Sequence, residues 1–392
     1  MRADGLFGQA VDRIGGEPIS ARMARKAPIR HLDPTLLFAT LALSAYGALM
    51  IFSATASKQE EAGLDQGLFL KRQIAYLVVG VVILLLVSSF DYRHLRGFAP
   101  VLYGFTILAL IVVLSPAGSV VSGARRWIDL GAFQAQPSEL AKIAVIIWTA
   151  ALTVKKQDRL TSLSRGLLPF LLVWSLLVLL IFLQPSMSAA VIVILLGALV
   201  VFAGGARIGH FILLALVGLP LLWSQIGAAA YRMRRMAAFF DPSHDPANVS
   251  YQITQSLIAI GSGGVFGRGF GHGVQKFGYL PEPHNDFIFA MIGEEWGFVG
   301  LFTIIGMFTT FALIGFRIAR HAPDLFGFLL AVGVTNLIVV QAMLHILVNL
   351  ALIPTTGVTL PFLSYGRTSL LVSLAAVGIL INIARRTGEV TA

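Results

Sequence analysis

The clearest candidate for chemistry is Asp286, which stands where a polar segment meets a long apolar run. The stretch is YLPEPHNDFIFAMIGEEWGFVG, residues 279–300. A carboxylate at a poorly hydrated boundary has a raised pKa and can act as a general base. The alternative is an acid that begins a helix, where the helix dipole favours negative charge. Helical spacing predicts that Glu294 supports Asp286, and His284 is a candidate for substrate contact.

A second group of chemical side chains follows in GARRWIDLG and QPSELAK, within residues 123–142. Glu139 and Lys142 are three residues apart and share one face of the predicted helix, close to Arg126 and Trp127. This places a carboxylate and cations together at the predicted outer membrane boundary. The alternatives are that Trp127 belongs to an interfacial aromatic belt and that Lys142 extends its ammonium outward to the headgroups.

The long segment 227–285 carries further cations and a glycine-rich stretch with seven glycines between residues 261 and 273. It lacks the P-loop signature and follows no predicted strand, so a nucleotide fold is not indicated. Glycines are entropically costly to order, which predicts a mobile lid over a cleft; a preformed wall is the alternative. The cations expected to face a polyanionic substrate are Arg232, Arg234, Arg235, Arg268 and Lys276.

Two polar patterns lie near the end of the chain. Residues 353–369, IPTTGVTLPFLSYGRTS, form a turn rich in hydroxyl groups, in which Ser364 is a candidate for substrate binding. Gln341, His345 and Asn349 recur every fourth residue, which favours hydrogen bonds between helices over a metal site. The chain contains no cysteine, so it has no disulfide, thiolate ligand or cysteine nucleophile.

The composition indicates the elements that must position these groups. Of 392 residues, 57% are hydrophobic and 12% charged, and the mean hydropathy is +0.83, a balance that does not suit a water-soluble globule. The apolar runs are continuous and approach the ~20 residues that a membrane-spanning helix needs. We predict an all-α polytopic membrane protein of about ten transmembrane helices, at roughly 34–53, 74–89, 98–115, 137–154, 167–184, 186–204, 207–226, 286–316, 325–352 and 363–386.

The basic residues predict the orientation. The net charge is +10, from 29 basic and 19 acidic residues, and Lys and Arg concentrate in the N-terminal tail and in alternate short loops. Both termini are therefore expected to be cytoplasmic, and no nucleic-acid partner is predicted. The resulting divisions are a cytoplasmic tail 1–33, transmembrane helices one to seven in 34–226, an ordered extracytoplasmic loop 227–285, helices eight to ten in 286–386, and a cytoplasmic tail 387–392.

Four stretches resemble the SEDS family (shape, elongation, division and sporulation), in the same order along the chain. They are GARRWIDLG with QPSELAK, YQITQSLIAIGSGGVFGRGFG, QKFGYLPEPHNDFIFAMIGEEWGFVG and IPTTGVTLPFLSYGRTS. Within the family, QKFGYLPEPHNDFIFA and TTGVTLPFLSYG are more similar to the division branch than to the elongation branch. The resemblance covers nearly the whole chain from the first apolar run onward.

The resemblance implies a ten-span glycosyltransferase that polymerises lipid II into peptidoglycan at the outer face of the cytoplasmic (inner) membrane, enriched at the division septum. Asp286 falls on the family's essential aspartate. Arg126, Trp127, Glu139 and Lys142 fall on other family motif positions. The partners implied are lipid II, a class B penicillin-binding protein with transpeptidase activity, and other membrane proteins of the division or elongation machinery.

The leaving group in that reaction is a polyprenyl diphosphate, whose charge must be stabilised. Arg126, Lys142, Arg232 and Arg235 are the candidates. The sequence requires no cofactor, and Mg²⁺ bridging phosphate oxygens is a further candidate. The chain also departs from the family pattern, because Ser186 stands in place of an aspartate.

Other functions remain open at this point. A lipid-precursor flippase would use intramembrane polar residues such as Gln184, Lys142 and Gln341 to line a headgroup path, although no inverted repeat is evident. A non-catalytic scaffold for division proteins is another alternative. An elongation polymerase would carry out the same chemistry at a different place in the cell.

Overall fold

The computed structural model describes residues 32–121, 124–129, 131, 133–227, 229–241 and 249–387. The predicted tails 1–33 and 387–392 lie outside the described residues, apart from 32–33 and 387. Within the described part of the chain there are twelve α-helices and three short strands. The all-α class is therefore confirmed.

Ten apolar helices form the bundle, and nine of those described are long and apolar enough to cross a membrane. The tenth, α6, has 17 residues. Their order confirms a polytopic membrane protein. The bounds are α1 Leu32–Glu61, α2 Leu68–Ser89, α3 Arg93–Leu114, α4 Pro137–Lys155, α5 Leu168–Leu183 after a π-helical turn Leu163–Leu167, α6 Met187–Ala203, α7 Ile208–Gly227, α10 Ile288–His321, α11 Leu325–Asn349 and α12 Arg367–Arg386.

The remaining elements lie in the two predicted outer segments. In the first, β1 (Gly118–Val121), β2 (Ala124–Asp129) and β3 (Gln134–Ala135) form an antiparallel sheet in the order β1-β2-β3. The sequence analysis did not predict these strands, which are only two to six residues long. In the second, α8 (Ala230–Phe240) and α9 (Val249–Ser262) give the long loop helical structure.

The centre of the bundle is formed by α4, α11 and α12. In their most apolar stretches, 72–78% of the residues are buried inside the protein, against 6% in α7. Most side chains of α7 therefore lie on the outside of the bundle, whereas α4, α11 and α12 can carry polar groups into the interior. The functional groups predicted near Glu139 lie on the first of these central helices.

The glycine-rich stretch is packed against α10, which corrects the prediction of a mobile lid. The amides of Arg268 and Gly269 donate to the backbone oxygens of Glu294 and Glu295, each at 3.0 Å. The carboxylate of Glu294 accepts the amide of Val274 at 2.8 Å. Buried carboxylates need such donors, and glycines let the two backbones approach closely.

The same contacts correct two expected roles. Glu294 is occupied by the glycine-rich stretch and does not support Asp286. Lys276 is 6% exposed, and its ammonium lies 3.4 Å from the Glu295 carboxylate, which also accepts the Ser53 hydroxyl at 2.5 Å. Lys276 therefore attaches the loop to α1 and α10.

Gly297 and Gly267 meet at the closest point of this contact. Gly297 interrupts α10 with φ +64°, and a Cβ there would lie 2.4 Å from the Gly267 amide nitrogen. We expect Gly297→Ala to lower the free energy of unfolding by about 1–3 kcal/mol from backbone strain alone, measured by thermal unfolding in detergent. Gly306→Ala in the same helix meets no atom within 4 Å and is the control. Equal stability of the two variants would contradict the close approach.

Candidate active site

A cavity of about 760 Å³ lies where the β-sheet, α4, α6, α8 and the turn 353–366 meet. Seven of the ten residues predicted from sequence to form the site line it. Four of the seven are cations and two are carboxylates, so the net charge of these groups favours an anionic ligand. The seven lining residues are Arg126, Trp127, Glu139, Lys142, Arg232, Arg235 and Asp286.

Asp286 is held immediately before α10 by its backbone. Its carbonyl oxygen accepts the Asn349 side-chain amide at 3.0 Å, and the Asn349 Oδ1 accepts the Ala290 amide at 3.0 Å. One asparagine of α11 therefore fixes both the first turn of α10 and the aspartate that precedes it. The backbone of Asp286 is thereby fixed, and the residue lines the cavity.

The electrostatics of Asp286 fit a general base. The pKa of its carboxyl group is raised to about 6, mainly by burial; the positive charge of Arg235 opposes this shift and the negative charge of Glu282 adds to it. The pKa lies close to neutral pH, where a base is both ionised and able to accept a proton. The shift has the direction expected of a carboxylate at a poorly hydrated boundary, and the role of Asp286 as a base stays a prediction.

Arg235 and Arg232 enter the cavity from α8. The Nη1 of Arg235 donates to the Thr355 carbonyl oxygen at 3.3 Å. The guanidinium of Arg232 lies 4.9 Å from the centre of the Phe182 ring, and its Nη1 donates to the Gln225 carbonyl oxygen at 2.8 Å. Because α8 carries both, one short helix positions two of the four cations.

Arg126 reaches the cavity from β2. Its Nε donates to the carbonyl oxygen of Gln184 at 3.0 Å and its Nη2 to that of Pro185 at 2.6 Å. These bonds attach the sheet to the connection between α5 and α6. The same connection carries Ser186, which lines the cavity.

Glu139 and Lys142 form a buried pair on α4, with 8% and 2% of their surfaces exposed. The Lys142 ammonium lies 2.6 Å from the Glu139 carboxylate and 2.7 Å from the Gln341 side-chain oxygen. Lys142 therefore does not extend to the headgroups, and the alternative of outward snorkelling is wrong. Two of its three N–H donors are used within the protein.

Lys142→Met should destabilise the protein, because it leaves the Glu139 carboxylate buried without its partner. Breaking a buried pair in this way costs about 3–5 kcal/mol, which a lower unfolding temperature in detergent would report. The control Glu139→Gln/Lys142→Met removes both charges and should recover much of the loss. If Lys142→Met kept wild-type stability but lost affinity for lipid II, Lys142 would be a ligand group with no structural role.

His284 and Ser364 do not line the cavity, which corrects their expected placement. Burial lowers the pKa of His284, whose ring packs 5.1 Å from that of Phe69 and whose Nε2 is 3.6 Å from the Glu282 carboxylate. The Ser364 hydroxyl donates to the Asn285 carbonyl oxygen at 2.7 Å. Both residues hold the segment around Asp286 in place, which the sequence pattern alone does not distinguish from substrate contact.

The polar residues of α11 join elements together, as predicted. His345 Nδ1 is 2.8 Å from the Val358 carbonyl oxygen, and the Asn349 carbonyl oxygen accepts the Ser256 hydroxyl at 2.9 Å. Gln341 binds Lys142. The described residues contain no group of three or more His, Asp or Glu side chains that would hold a metal ion.

Some cavity residues were not among the predicted site residues. Asn285, Thr355, Thr356 and Tyr365 line it beside Asp286. Thr355, Thr356 and Tyr365 belong to the hydroxyl-rich turn 353–369, which the sequence does indicate as a polar segment. Sequence spacing does not reveal which hydroxyls of a turn face a cavity.

The fold and site together define a polytopic membrane protein with a positively biased cavity that is lined by the carboxylate of Asp286. A family model described as cell cycle protein, covering FtsW, RodA and SpoVE, matches residues 34–389. The chain belongs to this family.

Similar proteins include the probable peptidoglycan glycosyltransferase FtsW of Trichlorobacter lovleyi, 42% identical over 91% of this chain and 93% of the relative. The stage V sporulation protein E of Bacillus subtilis is 41% identical over 90% of this chain and 97% of the relative. Among solved structures, a chain of a peptidoglycan synthase complex superimposes with a TM-score of 0.75, at 29% identity over 90% of this chain and 97% of that one. The rod shape determining protein RodA of Thermus thermophilus superimposes with a TM-score of 0.66. It is 30% identical, and the match covers 90% of this chain and 96% of RodA.

Proposed function

We propose that this chain is a peptidoglycan glycosyltransferase that polymerises lipid II into glycan strands at the outer face of the cytoplasmic membrane. The observation that carries the proposal is Asp286, a carboxylate with a pKa of about 6 at the edge of a cavity that holds four cations. Family membership and the printed names of the relatives support the reaction class.

In this reaction Asp286 takes the proton from the 4-hydroxyl of the acceptor sugar. The hydroxyl oxygen then bonds to the anomeric carbon of the donor, and the bond from that carbon to the polyprenyl diphosphate breaks. The diphosphate leaves with the electron pair, so it needs positive charge and no general acid. Direct displacement inverts the α-linkage of the donor to a β-linkage.

The cations of the cavity suit the leaving diphosphate. Arg126, Arg232 and Arg235 bring guanidinium groups, which match phosphate oxygens in pairs. Lys142 supplies charge from the cavity wall. Mg²⁺ bound by the phosphate oxygens of the substrate would supply further neutralisation of charge and would leave Asp286 free to act as the base.

The proposed role and partners are supported by the names of similar proteins. Septal synthesis during division is favoured by the name FtsW of the 42% identical relative. An elongation polymerase of the same chemistry is the alternative, as RodA is also similar. The neighbour from a peptidoglycan synthase complex supports a class B penicillin-binding protein as the transpeptidase partner.

Polymerisation by the purified chain tests the proposal. The full-length protein, with and without its transpeptidase partner, would be incubated with lipid II, and glycan strands would be separated on a gel. A flippase would instead move lipid II across liposomes without making strands. Absence of strands under both conditions, with a known polymerase active in the same assay, would contradict the proposal.

The pKa of Asp286 predicts how the reaction depends on pH. Because the ionised form is the base, kcat/KM should fall about tenfold per pH unit below pH 6 and level off above it. The measurement is the initial rate of strand formation between pH 4.5 and 8. Lipid II binding, followed over the same range, is the control, since it does not require the base to be ionised. A rate that was flat through pH 6 would contradict the assignment.

A further inference from the structure

Four residues of the cavity carry buried side-chain oxygens that have no hydrogen-bond partner among the described residues. They are the Oδ1 of Asn285, the Oγ1 of Thr355, the Oγ1 of Thr356 and the hydroxyl of Tyr365. Most buried polar atoms in proteins are hydrogen-bonded, and leaving one unpaired is costly. Four such atoms around one cavity point to a ligand that pairs with them.

The chemistry of these groups differs from that of the cationic lining. The cations come from β2, α4 and α8, whereas the unpaired oxygens come from the turn 353–366 and from Asn285. Neutral hydroxyl and amide oxygens carry no positive charge that would select a phosphate. They suit sugar hydroxyls, which both donate and accept hydrogen bonds. The cavity therefore offers one lining for a diphosphate and another for a carbohydrate.

The orientation of Asn285 supports this distinction. Its Nδ2 lies 3.1 Å from the Glu282 carboxylate oxygen, an atom that only accepts hydrogen bonds. The nitrogen must therefore face Glu282, which leaves Oδ1 as an acceptor without a donor. A sugar hydroxyl supplies such a donor, and a phosphate oxygen does not.

The neutral lining is also next to the base. Asn285 directly precedes Asp286. Gly357, which has φ +68°, passes so close that a Cβ built on it would lie 3.8 Å from the Asp286 Oδ2. Thr355 and Thr356 immediately precede this glycine, and the Thr356 carbonyl oxygen is fixed by the Ser188 hydroxyl at 2.9 Å. A sugar bound to these hydroxyls would present its own hydroxyl to the carboxylate.

We propose that Asn285, Thr355, Thr356 and Tyr365 form the subsite for the acceptor sugar, which is the sugar whose hydroxyl Asp286 deprotonates. The inference rests on the proposed function and adds that the cavity has two parts, one for the diphosphate and one for the acceptor sugar. The diphosphate of the donor lies against Arg126, Arg232 and Arg235, and the acceptor sugar lies against the neutral oxygens. Their role is to bind and orient the sugar, so their loss should act mainly on KM.

The test compares two ligands that differ by the sugar. Tyr365→Phe and Thr355→Val remove one hydroxyl each while keeping shape; the Tyr365 ring remains packed 4.8 Å from that of Phe69. For each variant, KM for lipid II in polymerisation and the affinity for sugar-free polyprenyl diphosphate would be measured. We expect the KM for lipid II to rise about 2–12-fold per hydroxyl, with unchanged affinity for polyprenyl diphosphate.

Two further variants serve as controls for the comparison of the two ligands. Thr359→Val is the matched control, because the Thr359 hydroxyl already donates to the Ser369 Oγ at 3.0 Å; it should leave the KM for lipid II unchanged. Arg235→Gln should weaken the binding of both ligands, since both carry the diphosphate. Equal melting temperatures of Tyr365→Phe, Thr355→Val and wild type would establish that a change in KM is not a folding defect.

The outcomes separate this inference from the function on which it rests. If wild type polymerises lipid II and both hydroxyl variants keep its KM, the sugar subsite is wrong and the proposed function stands. Equal weakening of lipid II and polyprenyl diphosphate in Tyr365→Phe and Thr355→Val would also overturn the subsite. If wild type with its partner makes no strands, the proposed function fails and the inference fails with it.

Discussion

Replacing Asp286 by Asn is expected to lower kcat for lipid II polymerisation on the order of 10²–10⁴-fold, because the amide cannot accept the acceptor's proton. The side chain is nearly isosteric, and the backbone bond from Asn349 to the Asp286 carbonyl oxygen is independent of the change. KM should change little. Strand formation at saturating lipid II is the measurement.

The stability of the same variant provides a second measurement. The folded-state pKa of Asp286 is raised from 3.8 to about 6, so the folded protein holds the proton more tightly than the unfolded chain. Stability is then lost as pH rises from about 4 through 6. Asp286→Asn removes this loss, and its unfolding temperature at pH 8 should equal or exceed that of wild type.

A carboxylate outside the cavity serves as the control for this prediction. Asp65, in the connection between α1 and α2, is exposed and does not line the cavity, so Asp65→Asn should keep a kcat close to that of wild type. A well-folded Asp286→Asn protein with wild-type kcat would remove the assignment of the base. A similar loss in both variants would indicate a general effect of removing negative charge from the protein.

The second large effect is expected for Arg235→Gln. The guanidinium lies close enough to Asp286 to lower its pKa and lines the cavity where the diphosphate would leave. Removing one group that stabilises charge in the transition state typically costs about 10²–10³-fold in kcat. We expect a loss of this size in strand formation at saturating lipid II. The acid limb of the pH profile should also move to higher pH, because Asp286 loses the neighbour that favours its ionised form.

Arg234 is the matched control for this effect. It is the adjacent residue of α8, but it is exposed and does not line the cavity. Arg234→Gln should therefore leave both kcat and the pH profile unchanged. If Arg234→Gln and Arg235→Gln lost activity equally, net charge on α8 would explain the result and a specific diphosphate contact would not.

The membrane fold could be predicted well from sequence, and the site only in part. Continuous apolar runs indicate spanning helices because the bilayer leaves few other solutions for the backbone, so the predicted runs correspond to α1–α7 and α10–α12. The strands β1–β3 were missed because they are too short to show an alternating pattern. Glu294 was misassigned because helical spacing was extended back to Asp286, whereas α10 begins at Ile288.

The sequence by itself determined the membrane class, the family and the position of Asp286, since each depends on local composition or on motifs read along the chain. The tertiary structure decided which polar groups share the cavity. Lys276, His284 and Ser364 have the residue types of binding groups, but they are used to hold α1, α10 and the segment before α10 together. Asn285 and Tyr365 line the cavity instead. A side chain's partners are set by packing between segments distant in sequence, and spacing along one segment carries no information about them.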